Sequence, residues 1–152
     1  MRLCLLQQGQ RRFYVFCHCE PVRTLAWQSP GGSNHQSGDY MIYFITEEQR
    51  RMTHGTCYFE FQKGTFRNEF WKDDSLLLHM NIFDRLDLSS VFTATIPDFD
   101  YYVVTHVPPE QYAALKATVQ TQNDEIATLF SELDIWATEC FKIYNCFTIL
   151  GI

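Results

Sequence analysis

The chain has 152 residues, a length that fits one domain over 1–152 with an ordinary hydrophobic core. Hydrophobic residues make up 46% of the sequence and charged residues 20%, which excludes an intrinsically disordered chain. No apolar run approaches the roughly 18 residues of a membrane-spanning helix, so the sequence predicts no such helix.

The net charge of −6 is concentrated at the carboxyl end of the chain. Residues 1–96 carry ten acidic and ten basic residues, whereas residues 97–152 carry eight acidic residues and only Lys116 and Lys142. This asymmetry disfavours nucleic acid and anionic membranes as partners and favours a basic protein. The alternative is an acidic helix face that serves only solubility.

The six cysteines are expected to be reduced. The first residues have too short an apolar stretch for a signal peptide, so we expect a cytoplasmic protein with free, buried thiols. Cys17, His18 and Cys19 are zinc-ligand types, but structural zinc sites use two ligand pairs, and no second pair has suitable spacing. No metal or other cofactor is predicted.

The N-terminal half of the chain is typical of β-structure interrupted by one short helix. Aromatic and β-branched runs bounded by turn residues predict strands at 3–6, 13–17, 23–27 and 40–45, with a loop at 28–34. Thr46 and Gln49 have the spacing of a capping box, which begins a helix over 47–53. Gly55 is predicted to end that helix.

The middle of the chain predicts a β-hairpin followed by a helical or mixed stretch. Residues 57–61 and 66–71 are the two strands, with a turn at Lys63 and Gly64. Alternation places Glu60 on a face that is solvated or binds a partner. Residues 73–75 can cap a helical or mixed stretch from Leu76 to about Leu86.

The C-terminal third predicts a strand over 101–107, a helix over 109–120 and a long amphipathic helix that begins after Asn123. Glu125, Glu132 and Glu139 recur every seven residues opposite its apolar stripe. The apolar tail 146–150 is expected to form a strand or to pack in the core. The predicted fold is α+β, a twisted antiparallel sheet with helices packed mainly on one face.

Asp98, Asp100, Tyr101 and Tyr102 form the segment with the most suitable chemistry for binding a protein. Carboxylates pair with lysine or arginine, and tyrosines supply large contacts at low entropic cost. An enzyme that uses a cysteine or the Asp98/Asp100 pair is one alternative, although no nucleophile elbow is present. A small-ligand binding or regulatory module with an aromatic pocket is the other.

Three segments resemble small bacterial immunity proteins of contact-dependent growth inhibition and related polymorphic toxin systems. The segments are DFDYY at 98–102, VPPEQY at 107–112, and the ending that runs from Trp136 to Ile152. The resemblance implies a non-enzymatic cytoplasmic protein that binds and neutralises the C-terminal domain of a cognate toxin. Because such toxins are often basic nucleases, a basic partner is implied as well.

The predicted function is therefore neutralisation of a toxin by occupying its surface, without catalysis. The oligomeric state is not predicted. The residues predicted to contact the partner are Asp98, Asp100, Tyr101, Glu125, Glu132, Glu139 and Glu60.

Overall fold

The structure is a computed structural model that describes residues 43–120 and 123–151 in full and the backbone of residues 2–8 and 11–17. The strands are β1 Arg2–Gln8, β2 Arg11–Cys17, β3 Phe44–Thr46, β4 Tyr58–Lys63, β5 Leu76–His79, β6 Val104–Val107 and β7 Phe147–Leu150. The helices are α1 Glu47–Thr53, α2 Met80–Arg85, α3 Leu88–Thr95, α4 Pro109–Val119 and α5 Asp124–Phe141.

Five strands form one antiparallel sheet in the order β3-β5-β4-β7-β6. Strands β1 and β2 form a separate hairpin, as predicted for the first residues of the chain. The predicted strand over 23–27 and the loop over 28–34 lie outside the described residues. The α+β prediction is confirmed.

One face of the sheet carries the hydrophobic core. Phe59 and Phe61 of β4 align with Leu78, Leu76 and Ile149 of the neighbouring strands, and all of them are buried. The helices bury their apolar faces against this layer, chiefly through Phe83, Phe92, Leu115, Phe130, Leu133 and Trp136. The opposite face carries Glu60, Gln62 and Leu77, which are also buried.

Helix α5 and strand β7 match the predictions for the C-terminal third. The Asn123 side chain accepts a hydrogen bond from the Ile126 amide at 2.9 Å, which caps the first turn of α5. Strand β7 is buried along its whole length and lies between β4 and β6. The apolar tail is therefore a central strand of the sheet.

The hairpin predicted for the middle of the chain is wrong, and the helical or mixed stretch predicted from Leu76 to about Leu86 is a strand followed by a helix. Strand β4 pairs with β5 and β7, and residues 66–71 form no strand. The predicted helical start at Leu76 is instead strand β5, and helix α2 begins at Met80 after the His79 cap. Two long-range strand pairings outweighed the local signals of turn and cap residues, which act only between near neighbours in sequence.

Helix α1 has the predicted capping box, in which Thr46 and Gln49 bond each other's amides. Its end differs from the prediction, because His54 and not Gly55 adopts the left-handed conformation, at φ 54°. Cys57 is disulfide-bonded, whereas Cys140 and Cys146 are free, so the expectation of reduced thiols is wrong for Cys57. No helix among the described residues is long and apolar enough to cross a membrane.

Candidate protein-binding surface

Tyr101 is held by aromatic rings of the core while its hydroxyl reaches the surface. Its ring contacts Phe59 edge-on at a centroid distance of 4.9 Å and Phe83 at 5.7 Å. Its hydroxyl donates to the Asp84 carboxylate at 2.9 Å. The rigid ring and the hydrogen bond give this tyrosine a fixed position at the end of helix α2.

Helix α2 connects Tyr101 to helix α5. Arg85 follows Asp84 in α2, and its guanidinium donates two hydrogen bonds to the Glu125 carboxylate, at 2.6 and 3.0 Å. The short helix is itself fixed by the stacking of Phe83 on Phe59 at 4.0 Å. One turn of α2 thus contacts Tyr101 through Asp84 and Glu125 through Arg85. Asp84 and Tyr101 lie 41 and 24 positions before Glu125 in the sequence.

The turn before strand β6 adds two carboxylates and a second tyrosine. Asp98, Asp100 and Tyr102 are exposed, and the Asp100 carboxylate accepts from the Tyr102 amide at 2.8 Å. The Tyr102 ring lies 4.9 Å from that of Tyr101. We call this set the tyrosine–carboxylate surface: Asp84, Arg85, Asp98, Asp100, Tyr101, Tyr102 and Glu125.

Gly151 allows the turn to lie against the end of strand β7. Its amide donates to the Val103 carbonyl at 3.3 Å, and a Cβ at this position would clash with the Tyr101 carbonyl. Only glycine leaves room for backbone at this distance. The position of the turn, and with it of both tyrosines, therefore depends on the last residues of the chain.

The described residues of this surface include four carboxylates and one guanidinium, so their summed formal charge is negative. Hydrogen bonds from Arg85 hold the pKa of Glu125 below its ordinary value. Burial, together with the negative charge of Glu125, raises the pKa of the neighbouring Tyr43. Glu125 is therefore ionised and Tyr43 neutral at physiological pH.

The acidic line predicted along α5 is largely paired within the molecule. Glu132 accepts hydrogen bonds from the Tyr43 and Phe44 amides, at 3.0 and 3.4 Å, where the chain enters strand β3. Glu139 pairs with Lys142, and Asp134 pairs with Lys116 at 2.7 Å. Glu139 lies 14 residues from Glu125, or about 21 Å along the helix, and so does not belong to the same patch.

Glu60 is not on the surface, and the prediction that its side of β4 is solvated or binds a partner is wrong. Its side chain is 2% exposed. The carboxylate accepts from the amides of Trp71 and Lys72 at 2.8 and 2.9 Å and from the hydroxyl of Ser75 at 2.8 Å. Residues 64–75, which we call the 64–75 loop, cover this face and supply these donors. A buried carboxylate is stable only when such hydrogen bonds replace those of water.

Trp71 and helix α1 form the outer layer of this network. Trp71 has a φ of 61°, a left-handed conformation that is unfavourable for a bulky residue. Its ring lies under the Arg50 guanidinium at 4.1 Å, and Arg50 donates to the buried Glu47 carboxylate at 2.6 and 2.8 Å. We call Glu47, Arg50, Glu60, Trp71 and Ser75 the buried carboxylate network.

Three features of the described residues bear on the two alternative functions. The Cys140 thiol is buried, and burial raises its pKa, so it lacks the exposed thiolate of a nucleophile. A groove of about 250 Å³ between α4 and α5 is open and has Lys116 and Asp134 already paired along it. No group of metal-ligating side chains occurs among the described residues, while Cys17–His18–Cys19 lies outside the described side chains.

The structure thus unites four of the predicted contact residues and separates the other three. Hydrogen bonds link Asp100, Tyr101 and Glu125 to other members of the tyrosine–carboxylate surface, and Asp98 is exposed in the same turn as Asp100. Sequence reasoning missed Asp84 and Arg85, because no local pattern shows that the end of α2 meets both the 98–102 turn and helix α5. The predicted helical stretch to Leu86 was the only signal available for them.

Comparison with known proteins adds no constraint on this surface. No protein-family model matches the sequence, and no curated protein or solved structure matches it at a significant level.

Proposed function

We propose that this protein is an immunity protein that binds a cognate toxin domain and blocks it without catalysis. The observation that carries the proposal is the tyrosine–carboxylate surface, whose described residues include four carboxylates, one guanidinium and two adjacent tyrosines. Protein interfaces combine tyrosine anchors with charges that complement the partner. The resemblance of residues 98–102 and 107–112 to immunity proteins supports the same conclusion.

The proposed partner is a basic domain, as expected for a nuclease that binds nucleic acid. Carboxylates that pair with its lysines or arginines speed encounter, and buried tyrosines supply most of the affinity. Glu125 can contribute only if a partner cation joins or replaces Arg85. Glu132 and Glu139 have internal partners and are expected to contribute less.

The proposal includes action in the cytoplasm, where such toxins reach their substrates. The disulfide at Cys57 weighs against a reducing compartment, because protein thiols there are normally kept reduced. Thiol labelling of the protein isolated from the cytoplasm tests this point: a Cys57 that reacts would show that the disulfide is reduced in that compartment, and a Cys57 that resists labelling would contradict action in the cytoplasm.

Charge reversal tests the proposed surface. We expect Asp98→Lys/Asp100→Lys to weaken binding to the toxin domain encoded by the neighbouring gene by about tenfold or more, and to impair rescue of growth. Glu48→Lys/Glu69→Lys is the matched control, because it changes the net charge equally at exposed positions elsewhere. An equal loss of affinity in both variants would show that overall charge alone is responsible. No loss of affinity in either variant would show that this surface is not part of the interface.

A further inference from the structure

Strand β6 has an open edge next to the tyrosine–carboxylate surface. It is the last strand of the five-stranded sheet, and among the described residues only β7 pairs with it. An edge strand presents unpaired amides and carbonyls that can bond another extended chain. The edge begins directly after Tyr101 and Tyr102, so one partner could contact both features.

The register shows which main-chain groups face outward. The Gly151 amide donates to the Val103 carbonyl, and these two residues are next to the last pair of the β6–β7 register, Val104 and Leu150. Hydrogen-bonded and non-bonded pairs alternate along an antiparallel ladder, so Thr105 and Val107 also bond β7. The amides and carbonyls of Val104 and His106 therefore point away from the sheet.

Among the described residues, nothing gives this edge the usual protection against pairing. Residues 101–107 contain no lysine, glutamate, arginine or aspartate, and Tyr102, Val103 and Val104 are 56%, 44% and 39% exposed. Proteins normally protect such edges with charged side chains, proline or a covering segment. Here the first proline is Pro108, after the strand has ended.

We propose that an extended segment of the toxin domain pairs with β6 as an additional strand. Its main chain bonds Val104 and His106, and a lysine or arginine near one end pairs with Asp98 or Asp100. This inference rests on the proposed function, and main-chain pairing of this kind gives affinity while the flanking charges give register. A second copy of the chain is a poorer occupant, because its own β6 and the residues around it, 97–115, contain no lysine or arginine to pair with Asp98 or Asp100.

Val104→Pro tests the inference by removing one outward amide. Proline is tolerated where the amide of an edge strand faces solvent, so pairing with β7 should survive. Val104→Thr is the matched control, since it keeps the amide and the branched side chain. With the full chain and the toxin domain, we expect Val104→Pro to raise Kd about tenfold and Val104→Thr less than threefold.

Hydrogen exchange of the wild-type protein gives a second readout that does not depend on the folding of a variant. The amides of Val104 and His106 should gain protection when the toxin domain binds, and unchanged exchange at both would overturn the inference. A free protein that dimerises in sedimentation experiments, with Val104→Pro abolishing the dimer, would overturn it in favour of a second copy.

The two proposals fail in different ways. If the wild-type protein does not bind the toxin domain, both the proposed function and the proposed strand pairing are wrong. If Asp98→Lys/Asp100→Lys weakens binding but Val104→Pro does not, strand pairing alone is wrong.

Discussion

The tyrosine–carboxylate surface and the buried carboxylate network both contain carboxylates paired with arginine, but the two sets differ in their exposure to solvent. On the surface, Glu125 is 38% exposed and its pair with Arg85 is accessible to solvent and to a partner. In the network, Glu60 is 2% exposed and each bond replaces one that water would otherwise make. Burial, more than the carboxylate itself, decides which group stabilises the fold and which remains available for binding.

The charges on the two sides of the sheet follow the same division. Glu47 and Glu60 are satisfied by Arg50 and by main-chain amides, so their charges contribute little to recognition. Asp98 and Asp100 project from a turn into solvent, where a negative field can attract a partner. Changes in the network should therefore affect stability, and changes on the surface should affect association.

The largest expected effect is that of Glu60→Ala on stability. The substitution leaves the amides of Trp71 and Lys72 and the Ser75 hydroxyl without their acceptor, at a cost of about 3–5 kcal/mol in the free energy of unfolding. Urea unfolding measures this cost, with Glu69→Ala as the exposed control in the same loop. Faster tryptic cleavage after Arg67 and Lys72 should accompany it, and a loss below about 1 kcal/mol would contradict the role assigned to Glu60.

A smaller effect is expected from acid through Glu47. Hydrogen bonds from Arg50 lower the pKa of Glu47 below 4.5, so its contribution to stability is complete above that pH and is lost as pH falls through the lower folded value. The urea midpoint of the wild type should therefore fall more steeply between about pH 5 and pH 3 than that of Glu47→Gln. Glu48→Gln, at the exposed neighbouring position, should keep the wild-type slope, and an equal slope in all three proteins would exclude Glu47 as the cause.

The smallest effect on stability is expected from Arg85→Ala, because its ion pair with Glu125 is exposed and competes with solvent. The unfolding midpoint should stay within experimental error. Removal of the Arg85 cation from the tyrosine–carboxylate surface should speed association with a basic toxin domain about two- to fivefold at low salt. Arg67→Ala, which removes an exposed charge from the 64–75 loop, is the control, and equal acceleration by both variants would show that overall charge alone is responsible.

Helix α5, the capping box of α1 and the apolar tail could be predicted because their signals lie within one element. Asn123, the apolar stripe and the acidic first turn of α5 each act over three or four residues, and all agree. The DFDYY segment was selected for its residue types, and the structure places Asp98, Asp100 and Tyr102 in solvent, while its role in binding stays a prediction.

The sequence by itself determined which segments could form helices and strands and where negative charge accumulates. The tertiary structure decided that β4 pairs with β5 and β7, that the 64–75 loop covers Glu60, and that α2 joins Tyr101 to Glu125. These outcomes depend on contacts between residues far apart in sequence, whose energies no local pattern records. The alternation of residues in β4 predicted on which face of the strand Glu60 lies. Only the packing of the 64–75 loop on that face determined that the carboxylate is buried.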